Sequence, residues 1–139
     1  AVINKKPFEI TTLRKDIRTD GRHAEVEFSK DWSDDARRRD FTINALYLGK
    51  DGTVYDPLDS FQDIKAARVR FIGDARKRIR EDALRILRFF RFSSDIEVGG
   101  VDEEGMLAAV ELKDLIGTLS VAERRKNYCR SIKETKVIQ

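Results

Sequence analysis

Apolar and polar residues alternate with a period of two in several short stretches of the first half of the chain. "AVINKKPFEITTLR" follows this pattern and predicts two short strands joined by a tight turn at Lys5–Pro7, with Glu9 on the second strand. A polar stretch follows, which predicts a loop and a weak strand at Ala24–Phe28. Further along, "ALYLGKDGTVYD" predicts a hairpin, and "RVRFIG" predicts a strand with Val69 and Phe71 on one face.

The spacing of apolar residues becomes helical in the second half. A short helix is expected earlier, through "DDARRRDF" with Ser33 as its N-cap, and another at Ser60–Ala66. From Ala75 onward the pattern is helical, with one helix at about Glu81–Ser94 and another at about Asp102–Leu115, separated by a Gly-Gly break. A mixed sheet region followed by helices predicts the α+β class.

The composition of the chain excludes several classes of protein and of binding site. No apolar run approaches the roughly 20 residues of a membrane span, so we expect no membrane partner. The single cysteine, Cys129, excludes an intramolecular disulfide and a cysteine-based zinc cluster, and it fits a reducing compartment. We therefore expect the cytoplasm, with an organelle left open. The net charge of +3 is a weak signal for nucleic acid, so only the distribution of charge can carry that argument.

The stretch "EDALRILRFFRF" places Asp82, Arg85, Arg88 and Arg91 three positions apart among apolar residues. On a helix each step of this ladder drifts by about 60°, so the four form one polar strip. The strip could be an exposed basic edge with an ordinary ion pair between Asp82 and Arg85. It could instead face a ligand. An Asp acceptor beside an Arg donor matches the Watson–Crick edge of cytosine or adenine but not of uracil or guanine, and further arginines suit phosphates.

A second dense patch, "RRRDFTINAL", completes a set of motifs. Together with "FEITTLR", "TDGRHAEVEF" and "EDALRILR" in this order, it resembles the class II tRNA nucleotidyltransferases, or CCA-adding enzymes, and their relatives the bacterial poly(A) polymerases. The resemblance covers about Phe8–Phe92. It implies a partial polymerase-β-like nucleotidyltransferase head at residues 1–73. A neck-type helical segment would follow at 74–139, with the nucleotide-templating helix at 81–94.

The resemblance also implies roles for the matching positions. Asp82 and Arg85 would act as an amino-acid template for the incoming CTP or ATP, and "DGTVYDPLDSFQDIKAARVRFIG" looks like the hinge between head and neck. The partners implied are CTP, ATP and the 3′ end of tRNA. The full nucleotide-binding set would be Arg39, Asp40, Asn44, Asp82, Arg85, Arg88 and Arg91.

The metal site of the family is expected to be incomplete here. The family uses Mg²⁺ held by an Asp-x-Asp pair after a glycine-rich loop, upstream of "EITTLR", and this sequence contains neither. Glu9 matches the third, supporting carboxylate, with a catalytic and metal-binding role. We therefore expect a truncated head–neck fragment that is inactive alone. It would be either a remnant of gene decay or half of an enzyme that a second polypeptide completes.

Three alternatives stay open from the sequence. The chain could be a fragment of a poly(A) polymerase-type enzyme rather than a CCA-adding one. It could be a non-catalytic nucleotide- or RNA-binding module, or an interaction protein that pairs through an open strand edge. The basic segment from Ser120 departs from the family pattern. Its charge pattern is more typical of a solvated tail than of an RNA-binding surface.

Overall fold

The computed structural model describes residues 1–20, 23–96, 100–125 and 127. Within these residues, the strands pair as three antiparallel hairpins, and most of the helices follow them. The α+β prediction is confirmed. The strands are β1 Val2–Ile3, β2 Lys6–Pro7, β3 Arg14–Asp20, β4 His23–Phe28, β5 Tyr47–Leu48 and β6 Val54–Tyr55. The helices are α1 Trp32–Arg37, α2 Phe61–Lys65, α3 Ala75–Glu81, α4 Leu84–Asp95 and α5 Glu103–Glu111, with short 3-10 helices at Thr42–Asn44 and Lys113–Thr118.

The first hairpin is shorter than the sequence predicts. Its turn falls at Asn4 and Lys5, both with positive φ, one residue earlier than expected. This mirror-image turn matches the twist of two antiparallel strands. The predicted strand through Glu9 is wrong, because residues 8–13 belong to no strand and Glu9 is exposed. A strand needs a neighbour for its backbone hydrogen bonds, and within the described part of the chain none pairs with this segment.

The second hairpin was only half predicted. The weak strand at Ala24–Phe28 is confirmed as β4, which begins one residue earlier at His23. Its partner β3 was expected to be loop, because "RKDIRTD" contains a single apolar residue. Backbone pairing with β4 overrides that weak local preference, in a register that places Arg14 opposite Phe28.

The hairpin β5–β6 occurs where the sequence predicts it, whereas α1 begins and ends earlier than the helix predicted through "DDARRRDF". The two elements contact each other. The N-cap of α1 is Asp31 rather than Ser33, since the Asp31 carboxylate accepts from the Ser33 amide at 2.8 Å. A carboxylate at this position satisfies an amide at the start of the helix. Trp32 stacks on Tyr55 of β6, with ring centroids 5.6 Å apart and an interplanar angle of 7°.

Asp82 separates α3 from α4, so the predicted continuous helix from Glu81 to Ser94 is wrong at its start. Asp82 has an extended backbone, with φ −154° and ψ 107°. Its carboxylate accepts from the Leu84 amide at 3.0 Å. An aspartate that bonds to the backbone two residues ahead favours a helix start over a helix interior. The chain therefore changes direction at Asp82, and α4 begins after it.

The core is aromatic at its centre. Phe41 lies 4.8 Å from Phe71 between ring centroids, and Phe71 lies 5.3 Å from Phe89. Instead of the predicted strand at "RVRFIG", the structure has one bridge between Phe41 and Phe71, although Val69 and Phe71 are both buried as expected. Gly105 of α5 packs against the Phe89 ring. The buried apolar cluster comprises Phe41, Val69, Phe71, Ala75, Ile79, Ile86, Phe89, Ala108 and Ala109.

Two sequence predictions are not decided by these elements. The division into residues 1–73 and 74–139 stays a prediction. Cys129 and most of the basic segment after Ser120 lie outside the described residues.

Among the residues that are described, no helix combines the length and the apolar character needed to cross a membrane.

Candidate functional site

A cavity of about 470 Å³ opens where the end of α1 faces the start of α4. Four of its lining residues come from the segment 38–44, and four come from the segment 82–92. Two motifs that are distant in sequence therefore meet in one cavity. The lining residues are Arg38, Arg39, Asp40, Asn44, Asp82, Arg85, Arg88 and Phe92.

Asp40 joins the two sides of the cavity. Its Oδ1 accepts hydrogen bonds from the Phe41 amide and from Asn44 Nδ2, both at 3.0 Å. Its Oδ2 lies 2.6 Å from Arg88 Nε on α4. Asp40 is only 8% exposed, so this ion pair is shielded from water more than a surface pair would be. The aspartate of the "RRD" motif thus fixes both Asn44 and Arg88 in position.

Arg38 and Arg39 share one buried carboxylate, Asp35. Arg38 donates to Asp35 Oδ1 from Nε at 2.8 Å and from Nη2 at 2.5 Å. Arg39 donates to Oδ2 from Nε at 3.1 Å and from Nη2 at 2.9 Å. Tyr47 donates its hydroxyl to Oδ2 at 2.9 Å. Sequence reasoning missed Asp35, although its i,i+3 and i,i+4 spacing to the two arginines is a signal that could have found it.

These contacts set the protonation of the cluster. Burial by itself would raise the pKa of Asp35, but the hydrogen bonds from Arg38, Tyr47 and Arg39 outweigh it and hold that pKa below its ordinary value. Burial, and then the bond to Asp35, raises the pKa of Tyr47 to about 12. Near neutral pH, Asp35 is therefore a carboxylate and Tyr47 a neutral donor.

Arg85 is fixed by its own helix junction. Its Nη1 donates to Glu81 Oε2 and to the backbone carbonyl of Arg78, each at 2.7 Å. Arg78 also donates to Glu81 at 2.7 Å, and from Nη2 it donates to the backbone carbonyls of Arg38 and Arg39. Burial, and then repulsion from Arg85, lowers the pKa of Arg78. This pair of arginines around Glu81 connects the end of α1 to the start of α4. The sequence singled out Arg85 but neither Arg78 nor Glu81.

The arginine ladder divides within the folded chain. Arg85 and Arg88 line the cavity, whereas Arg91 does not and is 7% exposed. The Arg91 guanidinium lies 4.5 Å from the centroid of the Phe92 ring, which itself lines the cavity. The drift of about 60° at each step accounts for this division, because it carries Arg91 about 120° away from Arg85. Its predicted role in nucleotide binding stays a prediction.

Glu9 lies apart from these residues. It is exposed and does not line the cavity. Within the described ranges, no group of three His, Cys, Asp or Glu residues could hold a metal ion. A single carboxylate does not supply the ligands of a magnesium site, so these residues do not fit the metal that the family implies.

The cavity combines arginines that can bind an anion with carboxylate and amide groups that can hydrogen-bond to a polar ring. Four arginines line it, and arginine forks bind phosphate through paired N–H donors. Two carboxylates and one amide line it as well, which gives acceptors and a donor for a polar ring. Of the eight residues predicted to form the site, the cavity gathers Arg39, Asp40, Asn44, Asp82, Arg85 and Arg88.

Comparison with known proteins shows the family to which the chain is similar. Residues 1–70 match the model of the poly A polymerase head domain family. The mitochondrial CCA tRNA nucleotidyltransferase 1 of Homo sapiens is 53% identical over 113 residues, which are 80% of this chain and 26% of that protein. The chain thus spans about a quarter of the length of this curated relative.

Solved structures give the same result. The Bacillus stearothermophilus CCA-adding enzyme in complex with CTP matches 91% of this chain and 31% of its own, with a TM-score of 0.75 and 33% identity. A tRNA nucleotidyltransferase complexed with a primer tRNA and an incoming ATP analog matches 78% of this chain and 31% of its own, with a TM-score of 0.59 and 28% identity. The fold is therefore that of a polymerase-β-like nucleotidyltransferase head. The chain belongs to the poly A polymerase head domain family, as the resemblance of its motifs implied.

Proposed function

We propose that the cavity binds CTP and ATP and selects them for addition to the 3′ end of tRNA, with the metal-binding carboxylates of the reaction supplied from outside the described residues, as by a second polypeptide. The observation that carries this proposal is the meeting of Asp82 and Arg85 with the arginines of "RRRD" in one cavity. The names of its relatives support it, since these proteins are CCA-adding enzymes and one of them was solved with CTP. Nucleotidyl transfer to tRNA is the activity that would use such a site.

Selection of the base would fall to Asp82 and Arg85. An acceptor next to a donor pairs with the exocyclic amine and the ring nitrogen of cytosine or adenine. Uracil and guanine present a protonated ring nitrogen at that edge, so they would leave the arginine facing a donor. Glu81 and the Arg78 carbonyl hold Arg85 Nη1, which limits the orientations that its guanidinium can adopt.

Binding of the triphosphate would fall to the remaining arginines. Arg38, Arg39 and Arg88 lie around the same cavity, and a guanidinium binds phosphate through paired N–H donors. Asp40 and Asn44 would then lie beside the sugar. The family implies Mg²⁺, but Glu9 stands apart from the cavity, so within the described residues the triphosphate would be bound by the arginines.

Equilibrium binding of CTP, ATP, UTP and GTP tests the proposal. We expect CTP and ATP to bind more tightly than UTP and GTP. We also expect Arg85→Ala or Asp82→Ala to weaken CTP by about tenfold or more, the loss for a hydrogen bond to a charged group. Arg76→Ala is the matched control, because Arg76 pairs with the exposed Glu111 and does not line the cavity. Equal binding of all four nucleotides, or an equal loss in the control, would contradict the proposal.

The same binding assay separates CCA addition from poly(A) addition. The family model is that of the poly A polymerase head domain, so a site for ATP alone is the second candidate. A protein that adds both nucleotides needs a site that accepts both bases. Tight binding of ATP with no binding of CTP would favour the second candidate.

A further inference from the structure

Asp35 lies behind the cavity and outside its lining, yet it contacts both arginines of the α1 side. Its side chain is 2% exposed, whereas the side chains of Arg38 and Arg39 are 27% and 38% exposed. We propose that Asp35 is a positioning residue that holds Arg38 and Arg39 in the orientation that binds the nucleotide phosphates. This inference rests on the proposed function of the cavity.

The geometry divides the carboxylate evenly between the two guanidinium groups. Arg38 presents its Nε–Nη2 edge to Oδ1, and Arg39 presents the same edge to Oδ2. Both side chains keep a solvent-exposed part and line the cavity. Asp35 thus holds each arginine through one edge of its fork, while part of each side chain stays exposed at the cavity.

Asp35 is itself held on further sides. Tyr47 donates its hydroxyl to Oδ2, and the backbone amide of Arg14 donates to Oδ1 at 3.3 Å. The Tyr47 ring also lies 5.2 Å from the Arg39 guanidinium carbon, measured to the ring centroid. A carboxylate with this many partners has little freedom to rotate. Two long side chains that would otherwise lose rotamer entropy on binding are therefore ordered before the ligand arrives.

The chain contains a second cluster of the same design. Asp63 is fully buried and accepts from Arg68 and Arg70, which lie outside the cavity. As at Asp35, burial would raise the pKa of Asp63, and the arginine bonds outweigh it. Asp63→Asn therefore removes the same kind of buried double ion pair as Asp35→Asn does, with no change at the cavity arginines.

Isothermal titration of the full chain with CTP, CMP and cytidine tests the proposal. Asp35→Asn keeps the shape of the side chain but removes the charge that both arginines share. We expect the Kd for CTP to rise about tenfold, with a smaller rise for CMP and less than about twofold for cytidine. We expect Asp63→Asn to leave all three constants unchanged. Equal losses for CTP and cytidine, or equal losses in both variants, would overturn the proposal.

A second measurement needs no nucleotide and separates the two claims. In the free protein, the Nε–Hε signals of Arg38 and Arg39 should be distinct and protected from solvent exchange in the wild type. In Asp35→Asn they should exchange rapidly, while those of Arg68 and Arg70 stay protected. A wild type that binds no nucleotide would contradict the proposed function alone. Protected signals in Asp35→Asn would overturn the positioning role whatever the nucleotide does.

A milder variant covers the case in which Asp35→Asn does not fold. Tyr47→Phe keeps both ion pairs but removes the hydroxyl that fixes the Asp35 carboxylate. We expect it to raise the Kd for CTP by about twofold to threefold, again with less effect on cytidine. No change for CTP in this folded variant would count against the proposal.

Discussion

Arg78 of α3 donates from Nη2 to the backbone carbonyl of Arg38 at 2.8 Å, and this bond ties α3 to the end of α1. The Arg78 side chain is 11% exposed, and Nη1 of the same guanidinium bonds to Glu81. One side chain thus connects the two segments that form the cavity. The cavity therefore forms only when the segments 38–44 and 82–92 pack together, because neither segment alone could orient the other.

We expect Arg78→Met to lower the free energy of unfolding by about 2 kcal/mol, since it leaves the backbone carbonyls of Arg38 and Arg39 without this donor and removes one of the two arginines paired with Glu81. Chemical denaturation monitored by circular dichroism measures the change. Arg76→Met, on the same helix, removes an exposed ion pair with Glu111 and should cost about 1 kcal/mol or less. Similar losses of unfolding free energy in both variants would show that Arg78 contributes no more to stability than an exposed arginine does.

We expect Gly105→Ala to destabilise the protein although alanine is the better helix former. A Cβ at Gly105 would lie 2.9 Å from Cε2 and Cζ of Phe89, a ring fully buried in the core. Overpacking of this kind costs about 1–3 kcal/mol, more than the gain of roughly 0.5–1 kcal/mol in helix preference. Gly117→Ala is the control, because nothing lies within 4 Å of its added carbon. Thermal unfolding of both variants decides the question, and a raised Tm for Gly105→Ala would contradict the packing.

We expect Tyr47 to make stability sensitive to alkaline pH. Its pKa is raised from 10.0 to about 12, first by burial and then by the bond to Asp35. A group whose pKa is raised on folding contributes its stability fully below pH 10.0, and that contribution falls as the pH rises to about 12. Tyr47→Phe should lack this fall. Free energies of unfolding measured on either side of pH 10.0 test this, and parallel curves for the two proteins would refute it.

We expect Glu81→Gln to reduce discrimination between bases more than it reduces affinity for CTP. Glu81 accepts from both Arg78 and Arg85, so its loss frees the Arg85 guanidinium to turn. A mobile donor can meet the carbonyl of uracil as well as the ring nitrogen of cytosine. The ratio of the Kd for UTP to the Kd for CTP measures the effect. Glu111→Gln, which breaks the exposed pair with Arg76, should leave that ratio unchanged.

The sequence singled out several residues that the fold brings together, because its motifs carry charged residues in a recognisable order. Arg39, Asp40, Asn44, Asp82 and Arg85 all line one cavity, and their roles in nucleotide binding stay a prediction. The sequence analysis did not find residues that contact the lining residues without lining the cavity themselves. Asp35 and Arg78 contribute through ion pairs and backbone carbonyls, and such partners are fixed only when distant elements pack. Periodicity along one segment contains no information about those contacts.

The fold was predicted least well where pairing, rather than local preference, decides the structure. β3 has too few apolar residues to be recognised, and it exists because β4 pairs with it. The strand expected through Glu9 lacks such a neighbour among the described residues. At Asp82 a side-chain bond to the Leu84 amide breaks a helix that the apolar spacing alone would continue. In each case the presence or the lack of hydrogen-bond partners decides the structure against the hydrophobic pattern.

The stacking of Trp32 on Tyr55 gives the protein a spectroscopic label at a useful place. Trp32 is the only tryptophan in the chain, and it lies at the first residue of α1, the helix that ends at Arg37. Tyr47 lies 4.7 Å from it between ring centroids. Excitation energy absorbed by the neighbouring tyrosines will transfer to this one indole. Its emission therefore reports whether α1 packs against the β5–β6 hairpin. Folding of the arginine-bearing side of the cavity can therefore be followed by fluorescence without any added dye.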